Sequence, residues 1–351
     1  MRSEAKELLL QGAFLPALPL VLDERRQLDE AGQRRLIRYY LAAGSDGIAV
    51  AVHTTQFAIR DPKINLFERV LRLAIEEIRA WSKRTGREAL AVAGVCGPTE
   101  QAVCEAHMAR SLGYDAVLLS PGGLNGRSED YLIERTRAVA AERDVIGFYL
   151  QPAVGGRVFS YGYWQKLCAV EGVAAVKCAA FDRYLTLDVA RAIAFSGRDI
   201  ALYTGNDDHI VTDLLTEYRF RDGDAVRSVR TRGGLLGHWA VWTHTAVQIF
   251  RRLRALDPSA PLDPGLLTLA AQITDANGAF FDRANGFAGC IAGIHEVLRR
   301  QGLMEGIWCL DPNETLSPGQ AAEITRVCAM YPDLNDDAFV AEFLKGEQER
   351  S

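Results

Sequence analysis

The 351-residue sequence has no uninterrupted apolar stretch approaching the ~18 residues of a membrane-spanning helix. The short apolar run in MRSEAKELLLQG does not make a signal peptide. A soluble cytoplasmic protein with no membrane partner is expected. An excess of basic charge is also missing: 40 lysines and arginines face 45 aspartates and glutamates, for a formal charge of −5. That balance argues against a nucleic-acid surface, which needs a basic stripe or domain. The seven cysteines, at 96, 104, 168, 178, 290, 309 and 328, include no C-x-x-C pair, so they read as reduced packing residues. The six histidines, at 53, 107, 209, 238, 244 and 295, show no close ligand spacing, and neither a metal nor another cofactor is expected. No G-x-G-x-x-G follows the first apolar run, which removes the signature of a dinucleotide-binding open sheet.

Between residues 13 and 240 short apolar runs alternate with amphipathic segments. Strands are predicted at AFLPALPL (13–20), DGIAVAVH (46–53), EALAVAGV (88–95), DAVLLS (115–120), VIGFYLQ (145–151), VAAVKC (173–178), DIALYT (199–204) and GGLLGHWAV (233–241). Eight strand–helix units are the count of a closed α/β structure, the (β/α)8 TIM barrel. Helix ends support the alternation: LDEAGQRRLIRYYLAAG has an acidic first turn and a terminal glycine, and PTEQAVCEAHMARSLGYD offers Thr99 as N-cap and Gly113 as C-cap. RFRDGDAVRSVRTR (219–232) is long for a helix-to-strand loop, and its Asp-Gly pair predicts a small hairpin. Its arginines suit either an acidic ligand or a solvated insertion or subunit contact. After residue 242 no strand is predicted, and THTAVQIFRRLRAL, PGLLTLAAQITDANGAFFDRA, FAGCIAGIHEVLRRQG and SPGQAAEITRVCAMY show helical spacing, with Pro-rich DPSAPLDP (257–264) between the first two. The domains read as a barrel over 1–241 and a C-terminal helical extension over 242–351.

Lysine is scarce, at positions 6, 63, 83, 166, 177 and 345 only, and Lys177 alone sits inside a strand pattern, EGVAAVKCAAFD. A buried ammonium is costly unless paired or deprotonated. Alternation puts Val173, Ala175, Lys177 and Ala179 on one face. If that face looks into the barrel, desolvation makes Lys177 an amine able to attack a carbonyl; otherwise it snorkels out or pairs with a carboxylate. In VIGFYLQP the same alternation turns Gly147, Tyr149 and Gln151 inward and Phe148 outward. Tyr149 is then either a proton-transfer group or a hydrogen-bonded core residue. At the end of the second strand, AVHTTQF places Thr54 and Thr55 where two hydroxyls and successive N–H groups suit a carboxylate. His53 and His238 each end a predicted strand, where substrate hydrogen bonding and packing are equally open.

Together these stretches resemble the dihydrodipicolinate synthase and N-acetylneuraminate lyase family of pyruvate-type class I aldolases, over about residues 11 to 345. The resemblance implies that the threonine pair, here Thr54 and Thr55, binds a keto acid's carboxylate, that Tyr149 in YLQP transfers protons with support from Thr54, and that Lys177 forms the Schiff base. The 28-residue separation of Tyr149 and Lys177 suits the family. The departures are equally specific. The family's G-T-T-G-E loop is here His53-Thr54-Thr55-Gln56-Phe57, the tyrosine pair after the fourth strand is replaced by SPGGLNG, and the arginine after the proline motif by Val154, with Arg157 three residues on.

The implied activity is a lyase that needs no cofactor and acts on a small-molecule 2-keto acid through a lysine imine, by aldol cleavage or dehydration of a hydroxylated, sugar-derived substrate. Gln56, Gly205, Asn206, Asp207 and His238 are the expected contacts for its variable end, and the family implies a homo-oligomer, dimer or tetramer. The alternatives are a catalytically silent barrel that binds a keto or sugar acid or serves as an assembly partner, and the dihydrodipicolinate synthase of lysine biosynthesis.

Overall fold

The computed structural model describes residues 1–349. Its strands are β1 (Phe14–Pro16), β2 (Gly47–Val50), β3 (Leu90–Val95), β4 (Ala116–Leu119), β5 (Val145–Leu150), β6 (Val173–Ala179), β7 (Ala201–Thr204), β8 (Glu217–Asp222) and β9 (Ala225–Leu236). The helices are α1 (Ser3–Gln11), α2 (Glu30–Ala43), α3 (Phe67–Thr85), α4 (Thr99–Leu112), α5 (Glu129–Glu142), α6 (Tyr161–Ala169), α7 (Arg183–Phe195) and α8 (Ile210–Leu215). Beyond β9 come α9 (Thr243–Arg254), α10 (Gly265–Phe280), α11 (Cys290–Arg300), α12 (Gln320–Met330) and α13 (Asp337–Gln348). The sheet runs β1-β9-β7-β6-β5-β4-β3-β2, with β8 paired to β9 off that path. This is the expected (β/α)8 barrel, followed by helices alone.

Two compact units divide the chain. One takes residues 1–13 and 90–235, the other 14–89 and 236–351.

In the first unit β3 to β7 are short runs of Val, Leu, Ile and Ala buried on both faces, the pattern of a parallel sheet covered by helices. α1 docks through Ala5 and Leu9, and the Tyr203 hydroxyl of β7 donates to Leu9 O (2.7 Å) and accepts from Ala13 N (2.8 Å). The β5–β6 ladder has an irregularity. Val145 pairs Val173, but Ile146 pairs Ala175, so the offset grows by one residue and Phe148 then lies beside Lys177, Tyr149 beside Cys178. α4 ends at Gly113 as expected, in the left-handed conformation that glycine favours. Its start differs: Pro98 occupies the cap position, and the Thr99 hydroxyl donates to Tyr131 Oη instead of capping. The Asp-Gly hairpin is present, because β8 and β9 pair antiparallel around Gly223. β9 is a single 12-residue strand that runs from the hairpin into the barrel.

In the second unit Phe14 stacks on Trp239 (centroids 3.8 Å apart), and Phe250 meets both rings edge-on. α13 closes over α2: Tyr39 packs against Phe339 and Phe343, and its hydroxyl donates to Asp336 Oδ2 (2.6 Å).

Candidate active site

Lys177 lies near the C-terminal end of β6, 9% exposed. Its neighbour in sequence, Cys178, points the other way, Sγ reaching Thr186 on α7. Lys177 therefore faces away from the helices, as alternation predicts. Its Nζ sits 4.4 Å from the centroid of the Phe148 ring. Burial pulls the ammonium down from its ordinary value to about 8, and the Asp207 carboxylate opposes part of that fall.

Tyr149 does not take the inward place expected of it. It is fully buried, stacked on Trp164 of α6 (5.0 Å) with Phe159 at its edge (5.7 Å). Burial raises its phenol to about 12. Gly147 faces the same helix, since an added Cβ there would meet the Leu167 side chain at 2.7 Å. Phe148, expected outward, is the β5 side chain over the amine. The cause is the one-residue shift in the β5–β6 ladder, because moving a strand by one residue exchanges its faces. Nothing in the sequence marks that shift, and Phe148 is the site residue that reading by alternation misses.

The turn after β7 carries Gly205, Asn206 and Asp207 to the same amine. Gly205 N–H donates to Cys178 O (2.7 Å), so close to β6 that a Cβ on it would fall 2.6 Å from Lys177 Cε. Asn206 spends its amide inside the protein, which removes it from the expected substrate contacts. Its Oδ1 accepts from Phe181 N (2.9 Å), and its Nδ2 donates to Asp213 Oδ2 (2.9 Å) and Thr186 Oγ1 (3.4 Å). Asp213, unforeseen from sequence, also accepts from Thr204 Oγ1 (2.7 Å) and pairs with Arg183 (2.6 Å). Asp207 is 8% exposed.

In the second unit Thr54 and Thr55 stand in a single 3-10 turn, His53–Thr55, directly after β2. Both hydroxyls donate to Leu18 O, at 3.1 and 2.7 Å, and the Thr55 oxygen accepts from Val52 N (3.2 Å). His53 is half-buried at the head of that turn. Gln56 follows with φ 65°, and its Oε1 accepts from Leu310 N (2.6 Å), tying the turn to the chain before α12. Its buried Nε2 has no partner. His238, just beyond β9, is buried with its pKa pushed down to about 4 despite a hydrogen bond with Asn277, so the imidazole is neutral near pH 7.

In the loop after β4 a Cβ added at Gly123 or Gly126 would meet nothing within 4 Å, while one at Gly122 would meet Ser120 Oγ at 3.2 Å, and the loop is anchored: the buried Arg135 donates to Ser120 O (3.0 Å) and Gly97 O (2.8 Å). Arg157 is anchored as well, its Nη1 donating to Arg127 O (2.6 Å) and Asn125 O (3.3 Å) while its guanidinium stacks over Phe159. Three of the hairpin arginines pair with acids of the hairpin itself, Arg219 and Arg230 with Glu217, and Arg227 with Asp222, while Arg232 pairs with Asp199. Among the described residues no group of three or more His, Cys, Asp or Glu side chains could hold a metal ion.

Among curated proteins, the chain is 30% identical over 201 residues to 4-hydroxy-tetrahydrodipicolinate synthase of Moorella thermoacetica, covering 56% of this chain and 64% of that protein. It is 28% identical over 203 residues to N-acetylneuraminate lyase of Citrobacter koseri, covering 57% and 64%. The match thus spans less than two thirds of either relative. Among solved structures, N-acetylneuraminate lyase from Fusobacterium nucleatum superimposes with a TM-score of 0.70 at 18% identity, over 92% of this chain and 99% of that one. Dihydrodipicolinate synthase from Oceanobacillus iheyensis gives 0.73 at 17% identity, over 93% and 99%. At such identities the likeness is one of fold. The family model described as the dihydrodipicolinate synthetase family matches residues 11–216, more than half of the chain, and the protein belongs to that family.

Proposed function

We propose that the protein is a class I aldolase-type lyase in which Lys177 forms an imine with the C2 carbonyl of a 2-keto acid. The protonated imine withdraws electrons, so that a C–C bond is cleaved or a hydroxyl eliminated through an enamine. The observation that carries this reading is the buried amine of Lys177 near the C-terminal end of β6, facing away from the helices, with a pKa lowered to about 8. By motif, Thr54 and Thr55 hold the carboxylate, their hydroxyls turning to it from Leu18 O, and His53, Gln56 Nε2, Gly205 and the neutral His238 serve the substrate's variable end.

A hydroxylated, sugar-derived keto acid suits these groups, which are hydrogen-bonding donors and acceptors without a free cation among them. Condensation of pyruvate with aspartate semialdehyde would place a second carboxylate at the mouth, and Arg157 is engaged with backbone carbonyls instead. The placement of Phe148 and Tyr149 gives the silent barrel one supporting observation, since Phe148 stands over the amine and the Tyr149 phenol lies against Trp164 instead.

Incubation with pyruvate and borohydride is expected to trap a secondary amine, which peptide mass analysis assigns to Lys177 and which Lys177→Met abolishes. A folded protein that yields no adduct with pyruvate or a panel of 2-keto-3-deoxy acids would leave the silent barrel as the better reading.

A further inference from the structure

We propose that Asp207 is the proton carrier of the Lys177 site, the part that the family resemblance assigns to Tyr149. The inference rests on Lys177 being the imine-forming residue.

Three placements point to it. The ring over Nζ is Phe148, which has no proton to give. The Tyr149 phenol is turned toward α6 and enclosed by Trp164 and Phe159. Asp207 stands two residues beyond Gly205, where an added Cβ would fall 2.6 Å from the lysine's Cε, and its carboxylate is the charge that acts on the ammonium. The turn that carries it is fixed from behind. Asn206 is bonded at both ends of its amide, and Asp213 gathers Asn206, Thr204 and Arg183. The other charges on this side, Asp208 and His209, interact with Arg183 and Asp213.

The Lys177 ammonium, under the charge of the Asp207 carboxylate, holds the proton that imine formation needs. As substrate enters, Lys177 passes one ammonium proton to Asp207 and becomes a neutral amine. Nζ attacks C2, the carbonyl π bond breaks, and Asp207 gives its proton to the oxygen. The carboxylate then takes a proton from the nitrogen and returns it to the hydroxyl, which leaves as water while the C=N bond forms. The sum is ammonium plus ketone giving iminium plus water, with Asp207 ending as the carboxylate it began as.

The test is the rate of imine formation with pyruvate, read by borohydride quenching at timed intervals in wild type and in Asp207→Asn, Asp207→Ala and Tyr149→Phe, each checked for an unchanged circular dichroism spectrum. Loss of a general acid–base group costs ~10²-fold or more. Asp207→Asn is expected to slow the reaction by that factor while the adduct still accumulates on Lys177 at long times. Added formate is expected to restore the rate of Asp207→Ala, which a loss of packing alone would not allow, and Tyr149→Phe is expected to stay within ~3-fold of wild type. A wild-type rate in Asp207→Asn, or a hundredfold loss in Tyr149→Phe, overturns the assignment while leaving Lys177 in place. Absence of adduct in the wild type removes the lysine reading itself and this one with it.

Discussion

An amine lowered to about 8 is neutral in roughly a tenth of molecules at pH 7, against about one in three thousand for an ordinary lysine. The trapping rate is therefore expected to climb with pH through about 8 and then level off; a climb that continues to about 10.5 would mean an exposed, unperturbed lysine. The same shift affects stability. Folding lowers this pKa, so the unfolded chain binds more protons between about pH 8 and 10.5, and the penalty of burying the charge, fully present below pH 8, fades as pH rises through that window. A second residue-scale prediction concerns Gly205. A Cβ there would fall 2.6 Å from Lys177 Cε and 2.8 Å from Ala179 Cβ, so Gly205→Ala must push the lysine stem aside. Trapping is expected to slow at least ~10-fold while the melting temperature moves little, since misplacing a reacting group costs rate long before it costs the fold; unchanged trapping would count against the close contact. Lys177 was legible because a lone charge in an apolar run is costly unless paired or deprotonated, and so needs a reason. Tyr149 was misjudged because alternation assumes an unbroken ladder, and the register shift at Val145 and Ile146 exchanges the faces without leaving a turn residue to announce it.

At the scale of elements, the turn between β7 and α8 depends on Asp213. It is buried and serves Arg183, Thr204 and Asn206 at once, so Asp213→Ala leaves two buried polar groups and a half-buried guanidinium without their acceptor. A loss of about 2–4 kcal/mol in urea unfolding is expected; a change below about 1 kcal/mol would show that the turn holds without it. The strands themselves were legible, since each apolar run predicted from sequence overlaps one, although β9 begins at Ala225, well before the predicted run. The hairpin was legible from Asp-Gly. The two helices that escaped, α1 and α13, lie at the ends of the chain and bury little: Ala5 and Leu9 in one, Val340 in the other. An amphipathic pattern carried by one or two residues cannot be told from a loop. Gln56 and Asn206 were expected to contact substrate, and their part as structural ties was not legible, because their partners, Leu310 and Asp213, are fixed only by the tertiary fold.

At the scale of the whole molecule, no described helix is long and apolar enough to cross a membrane. A homo-oligomer is the family expectation, and light scattering at micromolar concentration is expected to give a mass well above the 38.6 kDa of one chain; a monomer would refute it. Sequence order suggested a barrel with an appendix, but packing ties late chain to early chain. Asp336 accepts from Tyr39 Oη, His244 N and Gln301 Nε2, at 2.6 to 2.8 Å. Removing residues 335–351 is therefore expected to expose Tyr39 and to lower the thermal midpoint sharply, or to abolish cooperative unfolding; a wild-type melt in the truncated chain would show that α13 is dispensable. This interleaving also bears on synthesis. Residues 14–89 leave the ribosome with an apolar surface whose covering partners begin at residue 236, 147 positions later. At ordinary elongation rates that is a wait of roughly ten to thirty seconds. During it the segment 90–235 can close with residues 1–13, while α2 and α3 stay open to chaperones or to wrong partners, so the most vulnerable stretch of the nascent protein is the one made near its beginning.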